Sequence, residues 1–390
     1  VEKKPVRSKD NFLVFGSPHI EEAEIEEVIA TLRSGWIGTG PRVTRFEKEF
    51  AAYRQSPNAV AVHSCTAALH LSLLAAELPV GSEVITTPLT FCATVNAIIH
   101  AGLKPVLADI NPFTLNIDPD RIEAAITDNT SAIIPVHFAG RPCEMDRIMA
   151  IARKHNLVVI EDCAHAIESS YHRQNSGTFG DFGCFSFYVT KNLTTGEGGM
   201  VLTRSTEKAA RIKRLALHGM SADAWDRYGD EGYKHYYVME CGFKYNMMDL
   251  QAAIGLHQLH KIDQSLEKRI QIWDRYTTIF KDFPLTLPAL PEPETVNARH
   301  LYQVLVNKKI TGITRDQFLQ KMTHHGIGVG VHYLSLPEHP YYQQRFGWNP
   351  DDYPEAKRIG RQTVSLPLSP KLNEKDVADV IAAVHRSLGM

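Results

Sequence analysis

The chain has 390 residues, 44% of them hydrophobic and 22% charged, which suits a globular protein with one large domain and a smaller one. Its formal net charge of −2 argues against a general nucleic-acid or membrane-surface binder, though a local basic site is allowed. No uninterrupted apolar run of about 18 residues occurs, so no membrane span is expected. The polar start VEKKPVRSKDN has no apolar stretch behind it, so no signal peptide is expected either. Cys65, Cys92, Cys143, Cys163, Cys184 and Cys241 contain no C-x-x-C pair, which points away from a zinc ribbon or dithiol site and towards reduced thiols in a cytoplasmic protein.

A first helix is predicted from about His19 to Leu32, with acidic residues crowding its first turns. The glycine-dense SGWIGTGP follows, then a short amphipathic helix from roughly Thr44 to Arg54. Next comes an alternation: strand NAVAVHS, helix CTAALHLSLLAAEL, strand EVITTP, helix FCATVNAIIHAG, strand KPVLADI, helix PDRIEAAI, strand TSAIIPVHF, helix EMDRIMAIARKH and strand LVVIEDC. GCFSFYV and GMVLTR are two more strands. This order predicts an α/β fold with a mostly parallel sheet covered on both faces, and the near-continuous apolar strands agree. From about Met247 one long helix is expected to reach Lys281, before a proline-rich stretch, LTLPALPEPETVNARH. HLYQVLVN (strand), TRDQFLQKMTHHG (helix), IGVGVHY (strand), TVSLPL (strand) and KDVADVIAAVHRSL (helix) complete a smaller α+β module. The expected division is a large domain over residues 1–255 and a small one over 256–390.

Four features stand at ends of sheet elements, where ligands bind in open α/β sheets. LVVIEDCAHA delivers Glu161 and Asp162 at a strand end, with His165 three residues on; a carboxylate here could steer a ligand cation, bind a metal, act as a base or merely cap a helix. HSCTAALHLSLL ends a strand at Ser64 and starts a helix that Thr66 could cap, leaving N–H groups for an anion. Ser186 is a hydroxyl inside an aromatic strand and needs a partner, local or ligand. Lys191 follows that strand and precedes GEGG; burial would lower its pKa and make it a nucleophile towards carbonyls. No P-loop, H-E-x-x-H motif or serine nucleophile elbow is present, and no metal site is expected. His324 and His325 read as a solvated helix end.

One explanation joins the four features. Pyridoxal phosphate (PLP) needs an amine, a carboxylate at its ring nitrogen, a phosphate cradle and a flat group against the ring. Lys191, Asp162, the Thr66 helix start with Ser186, and Phe91 supply them.

On these residues the chain resembles the fold-type I PLP enzymes, and within them the DegT nucleotide-sugar aminotransferases. SGWIGTGPRVTRFEKEFA, SCTAAL, TPLTFCATVNAI, VIEDCAHA and FSFYVTKNLTTGEGGM carry the likeness in order. The resemblance implies that Lys191 forms the imine with the cofactor and moves the substrate proton. It implies that Asp162 pairs with the pyridinium and that His165 sits near the ring 3-oxygen, where many relatives carry Gln. Thr66, Ala67 and Ser186 would hold the phosphate and Phe91 would stack on the ring. GFKYNMMDLQAAIG departs from the G-[FY]-N-Y-R-M of many relatives and is similar to the subgroup containing UDP-4-amino-4-deoxy-L-arabinose synthase. By that likeness Asn246 reaches the cofactor phosphate of a neighbouring subunit in a homodimer with shared sites. Trp36, His332, Tyr333 and Tyr341 would line the sugar-nucleotide entrance. The implied partners are L-glutamate and a nucleotide-diphosphate keto-sugar, with UDP and carbon 4 favoured. A carbon-3 aminotransferase, a sugar dehydratase and a PLP-sensing regulator are the rivals; Lys191 weighs against the second, and the absence of a DNA-binding extension ahead of the PLP region weighs against the third.

Overall fold

A computed structural model of the chain describes residues 4–221 and 235–390. Seven strands build the main sheet: β1 Asn58–Val62, β2 Glu83–Thr86, β3 Lys104–Leu107, β4 Thr130–Ile134, β5 Val158–Asp162, β8 Phe182–Ser186 and β9 Gly199–Thr203. The short β6 Ser170–Tyr171 and β7 Gln174–Asn175 form a separate hairpin, and β10 Tyr302–Leu305 pairs with β11 Thr363–Leu366. The sheet order is β1-β9-β8-β5-β4-β2-β3. β8, β5, β4, β2 and β3 run parallel, while β9 lies antiparallel between β1 and β8.

Side-chain alternation explains how both faces are covered. Val60, Val62, Val84, Ala132, Ile134, Ile160 and Phe182 point to one face, where they meet helices Cys65–Ala75, Cys92–His100 and Thr206–Ala216. Their neighbours point the other way. Ala59, Ala61, Phe185, Met200 and Leu202 meet Pro41–Arg54 and Asp249–His260, and Ile85, Ile133 and Val159 meet Pro119–Ala125 and Met145–His155.

A separate core gathers Trp273, Tyr276, Phe280, Tyr302, Phe318, Val364 and Val380 from the C-terminal part. Val6 and Leu13 join it, and Arg7 bonds Asp376 at 2.7 Å, so the N-terminal arm packs on this C-terminal unit.

Four expectations change. The long helix is two, Asp249–His260 and Ile262–Phe280, because Lys261 leaves helical geometry at φ −106° and ψ 10°. IGVGVHY is not a strand: it makes only isolated bridges, Leu13 to Ile327 and Gly330 to Ser365. Its glycines let the N-terminal arm lie close, since a Cβ on Gly328 would meet Leu13 O at 2.9 Å. The helix Thr206–Ala216, capped by Ser205, is present without having been expected. His325 is buried rather than solvated.

Candidate active site

β2, β4, β5 and β8 all end at one cavity of about 500 Å³. Ser64, Cys65, Thr66, Phe91, Thr94, Asp162, His165, Ser186, Lys191, His332 and Tyr333 are among its walls. Lys191 sits in the loop that joins the adjacent antiparallel strands β8 and β9. Phe187 N–H bonds Gly198 O and Thr195 N–H bonds Phe187 O, both at 2.9 Å, so the loop is closed at its base. The glycines after Lys191 have distinct reasons. Gly196 takes φ +81°, and a Cβ on Gly199 would lie 2.5 Å from Ser64 C, so β9 can pass the helix start only with glycine there.

Lys191 Nζ makes no hydrogen bond or ion pair among the described residues. Burial lowers its pKa from about 10.5 to about 8, against the opposing pull of Cys65 and Asp162. Asp162 is 4% exposed. Its Oδ2 accepts from Thr94 Oγ1 at 2.9 Å and its Oδ1 from Ala164 N–H at 3.1 Å. Burial still raises its pKa, because these donors and Lys191 only partly offset the lost hydration. A buried carboxylate of this kind suits a cationic ring nitrogen.

The helix start differs in detail from the expectation. Ser64, not Thr66, is the N-cap, and its side chain accepts from Ala67 N–H at 3.1 Å. The N–H groups of Cys65 and Thr66 are without partners among the described residues. Together with the hydroxyls of Thr66 and Ser186 in the cavity wall, they make a cradle suited to a phosphate. Among the described residues Ser186 Oγ accepts only a long 3.4 Å bond from Tyr188 N–H. Donors, carboxylate and free amine therefore fit PLP.

His165 is tied down on both sides. Its Nδ1 accepts from Ala139 N–H at 3.2 Å, and its Nε2 lies 3.1 Å from Tyr333 Oη. Burial, followed by the nearby Lys191, His300 and His332, holds its pKa well below the usual histidine value. His332 falls to about 4, through burial and then Lys191, and its Nδ1 lies 2.9 Å from Ser365 Oγ.

Four sequence candidates lie outside the cavity wall. Ala67 is buried and its N–H is spent on the cap. Trp36 is 53% exposed and bonds Thr39 O through Nε1 at 3.0 Å. Asn246 Nδ2 bonds Thr39 Oγ1 at 2.7 Å, while its Oδ1 is buried without a partner among the described residues. Tyr341 is exposed and packs edge-on against Tyr342, at 5.2 Å between rings.

Sequence reading missed the support behind the lysine loop. Asn192 Nδ2 donates to Glu168 Oε2 and to Ala298 O, and its Oδ1 faces His300 Nδ1, all at 2.9 Å. Glu168 also pairs with the buried Arg269. Asn192 thus joins the Lys191 loop to the C-terminal unit. Its place directly after Lys191 was the available signal. His137, Glu161 and Cys163 cluster tightly, but Glu161 already accepts from Gly177, Phe179 and Gly180 N–H at 2.7–2.9 Å and lies 3.0 Å from His137 Nε2. His137 Nδ1 in turn accepts from Cys143 N–H, so this cluster braces the end of β5.

A mostly parallel sheet, a lysine loop over a buried aspartate and an open helix start define a PLP-dependent aminotransferase. The chain belongs to the DegT/DnrJ/EryC1/StrS aminotransferase family, whose profile matches residues 18–385. It is 48% identical over 381 residues to the spore coat polysaccharide biosynthesis protein SpsC of Bacillus subtilis (strain 168), which covers 97% of this chain and 98% of that protein. The putative sugar aminotransferase Spr1654 from Streptococcus pneumoniae, in its PMP-form, superposes with a TM-score of 0.90 at 34% identity, over 97% of this chain and 98% of that one. Helicobacter pylori PseC, an aminotransferase involved in the biosynthesis of pseudoaminic acid, gives 0.89 at 29% identity, over 97% and 99%. No described helix is long and apolar enough to cross a membrane.

Proposed function

We propose that this aminotransferase moves an amino group from L-glutamate to the 4-keto group of a nucleotide-linked sugar, with UDP the favoured nucleotide. The product would be an amino sugar for surface polysaccharide or glycan, made in the cytoplasm. The observation that carries the reading is a Lys191 amine without a bond among the described residues and a buried Asp162 lining the same roomy cavity. The part of SpsC in spore coat polysaccharide biosynthesis and of PseC in pseudoaminic acid biosynthesis supports an amino-sugar product.

PLP supplies an aldehyde and an electron-accepting ring when bound. Asp162 would hold the ring nitrogen protonated. Cys65 and Thr66 N–H, with the Thr66 and Ser186 hydroxyls, would bind the phosphate, and Phe91 would cover the ring. Lys191 Nζ would take the proton from the amino-acid carbon and later return a proton to the sugar carbon, one base serving both halves.

A homodimer is part of the proposal. Trp36, Ile37 and Met248 are 53%, 48% and 44% exposed, and Asp249 N–H bonds Gly38 O at 2.8 Å, which keeps them together as an apolar patch. Docking a second copy there would bring Asn246 towards its neighbour.

The test is a panel of UDP-, dTDP- and GDP-linked keto-sugars with L-glutamate, read by product mass and NMR. A 4-amino sugar from a UDP substrate is expected. Amination at carbon 3, or no product from any sugar, would refute the substrate reading.

A further inference from the structure

A half-used arginine lies buried at the opposite end of the sheet from Lys191. Arg54 closes the helix Pro41–Arg54 and is 2% exposed. Its Nη2 donates to Ser169 O at 2.7 Å and to Ser176 O at 3.0 Å. Among the described residues its Nε and Nη1 have no hydrogen-bond partner, and the guanidinium is in no ion pair. The buried Arg269 and Arg141 differ, for they pair with Glu168 and Glu292. Buried charges are normally paired, because an uncompensated one is costly. Glu168 and Glu161 act on Arg54 only at a distance, and both are taken up by other donors. The rings of Tyr53 and Phe185 lie against the guanidinium, their centroids 5.6 and 5.9 Å from Cζ, and hold it in place.

Arg54 forms part of the wall of a second cavity, of about 230 Å³. Pro57, Gly180 and Thr203 place it where β1 and β8 begin and β9 ends. The Lys191 cavity lies past the other ends of the same strands. Arg173 and Arg204 add two more cations to the wall, and none of its described residues is acidic. Arg173 sits with His172 in the two-residue turn between β6 and β7, at φ +68° and +46°. Such turns favour Asn and Gly, so a long cation is kept where a small residue would fit more easily. Its ion pair with Glu294 is exposed on both sides, and an anion can displace it at little cost. Arg204 gives Nη2 to Thr178 O at 2.7 Å and has no ion pair among the described residues.

We propose that this cavity is a second anion site, which takes a phosphate-type oxyanion between Arg54, Arg173 and Arg204. Planar guanidinium forks match oxyanions that offer several acceptor oxygens. The anion supplies the negative charge that no side chain gives Arg54. The volume is several times what one water needs, so inorganic phosphate and the phosphate of a small sugar phosphate both have room. The site is separate from the cofactor cradle and independent of which sugar the enzyme aminates.

The test uses the full chain loaded with PLP, so that the cofactor's own phosphate already fills the active-site cradle. Isothermal titration is run with sodium phosphate, with a hexose 1-phosphate, and with sodium chloride at matched ionic strength, while the cofactor absorbance is followed. Saturable phosphate binding is expected, with a Kd of about 1 mM or tighter. The double variant Arg173→Gln/Arg204→Gln changes only exposed side chains, so it should fold and keep its PLP. It should bind phosphate at least about fivefold more weakly, from the loss of two charge-assisted contacts; any smaller loss overturns the proposal. Arg54→Gln should abolish the binding, and the double variant decides the matter if Arg54→Gln does not fold. Absence of saturable phosphate binding, equal binding of chloride, or loss of PLP absorbance as phosphate is added also overturns it. Tighter binding of the hexose 1-phosphate than of phosphate identifies a sugar phosphate as the ligand; equal or weaker binding identifies inorganic phosphate. No keto sugar is needed, so the outcome is separable from that of the substrate panel.

Discussion

Replacing Asp162 by Asn should make Lys191 more reactive in the cofactor-free protein while destroying turnover in the loaded one. With a pKa of about 8, roughly one Lys191 in ten is neutral at pH 7, against about one in three thousand for an ordinary lysine at 10.5. Burial does this, and the Asp162 charge works against it. Removing that charge should lower the lysine further, on the order of one pH unit, or up to severalfold more neutral amine at pH 7. The assay is reductive alkylation of the apo-protein with a small aldehyde and cyanoborohydride across pH, with peptide mass spectrometry at Lys191. Half-maximal labelling is expected near pH 8 for the parent chain and lower for Asp162→Asn. An unchanged midpoint, or one moved upward, would refute the electrostatic reasoning. The same shift of about 2.5 units costs the apo-protein about 3 kcal/mol below pH 8. Because the unfolded chain holds this proton more tightly, apo stability should rise from pH 8 towards 10.5 in this term.

Lys191→Ala should bind PLP without covalent attachment and lose turnover by at least about a thousandfold; near-parent activity would remove the lysine from the mechanism. Asn192→Leu deletes three hydrogen bonds around a buried carboxylate and should cost about 2–4 kcal/mol in urea unfolding, with a loss below about 0.5 kcal/mol arguing against its bracing role. Glu161→Ala strands three backbone donors and His137, so a loss of about 3–5 kcal/mol is expected by the same measurement. Gly199→Ala drives a methyl into the Ser64 backbone and should weaken PLP retention at least about tenfold; normal retention would show that the close approach of β9 is not needed for the cradle.

The alternating half of the chain was legible because its strands are apolar on both faces and its helices carry their own caps and periodicity. Lys191, Asp162, Thr66, Ser186, Phe91 and His165 all line one cavity, and the sequence could group them because each lies at, or within five residues of, a strand end or helix start. What was hidden depends on distant contacts. Lys261 breaks a helix without any proline or glycine to mark it. Gly328 and Gly330 look like strand residues until the N-terminal arm is laid beside them. Asn192 looks like an ordinary loop residue until Glu168, Ala298 and His300 converge on it from 24 to 108 residues away. Ser64 and Thr66 compete for the same cap, and only the backbone turn at Ser64 decides between them.

The position of β9 between β1 and β8 carries a consequence for how the chain is made. Among the described residues β1 pairs with no strand but β9, Asn58 opposite Thr203, a separation of 145 residues. At ordinary elongation rates, roughly 7–30 s separate the emergence of those two segments from the ribosome. During that interval the Ala-Val-Ala-Val stretch has no strand to complete it, whereas the lysine loop closes as soon as its own two flanking strands exist. A nascent chain halted before residue 199 should therefore present an unpaired β1 edge to chaperones, and one extended past residue 203 should not.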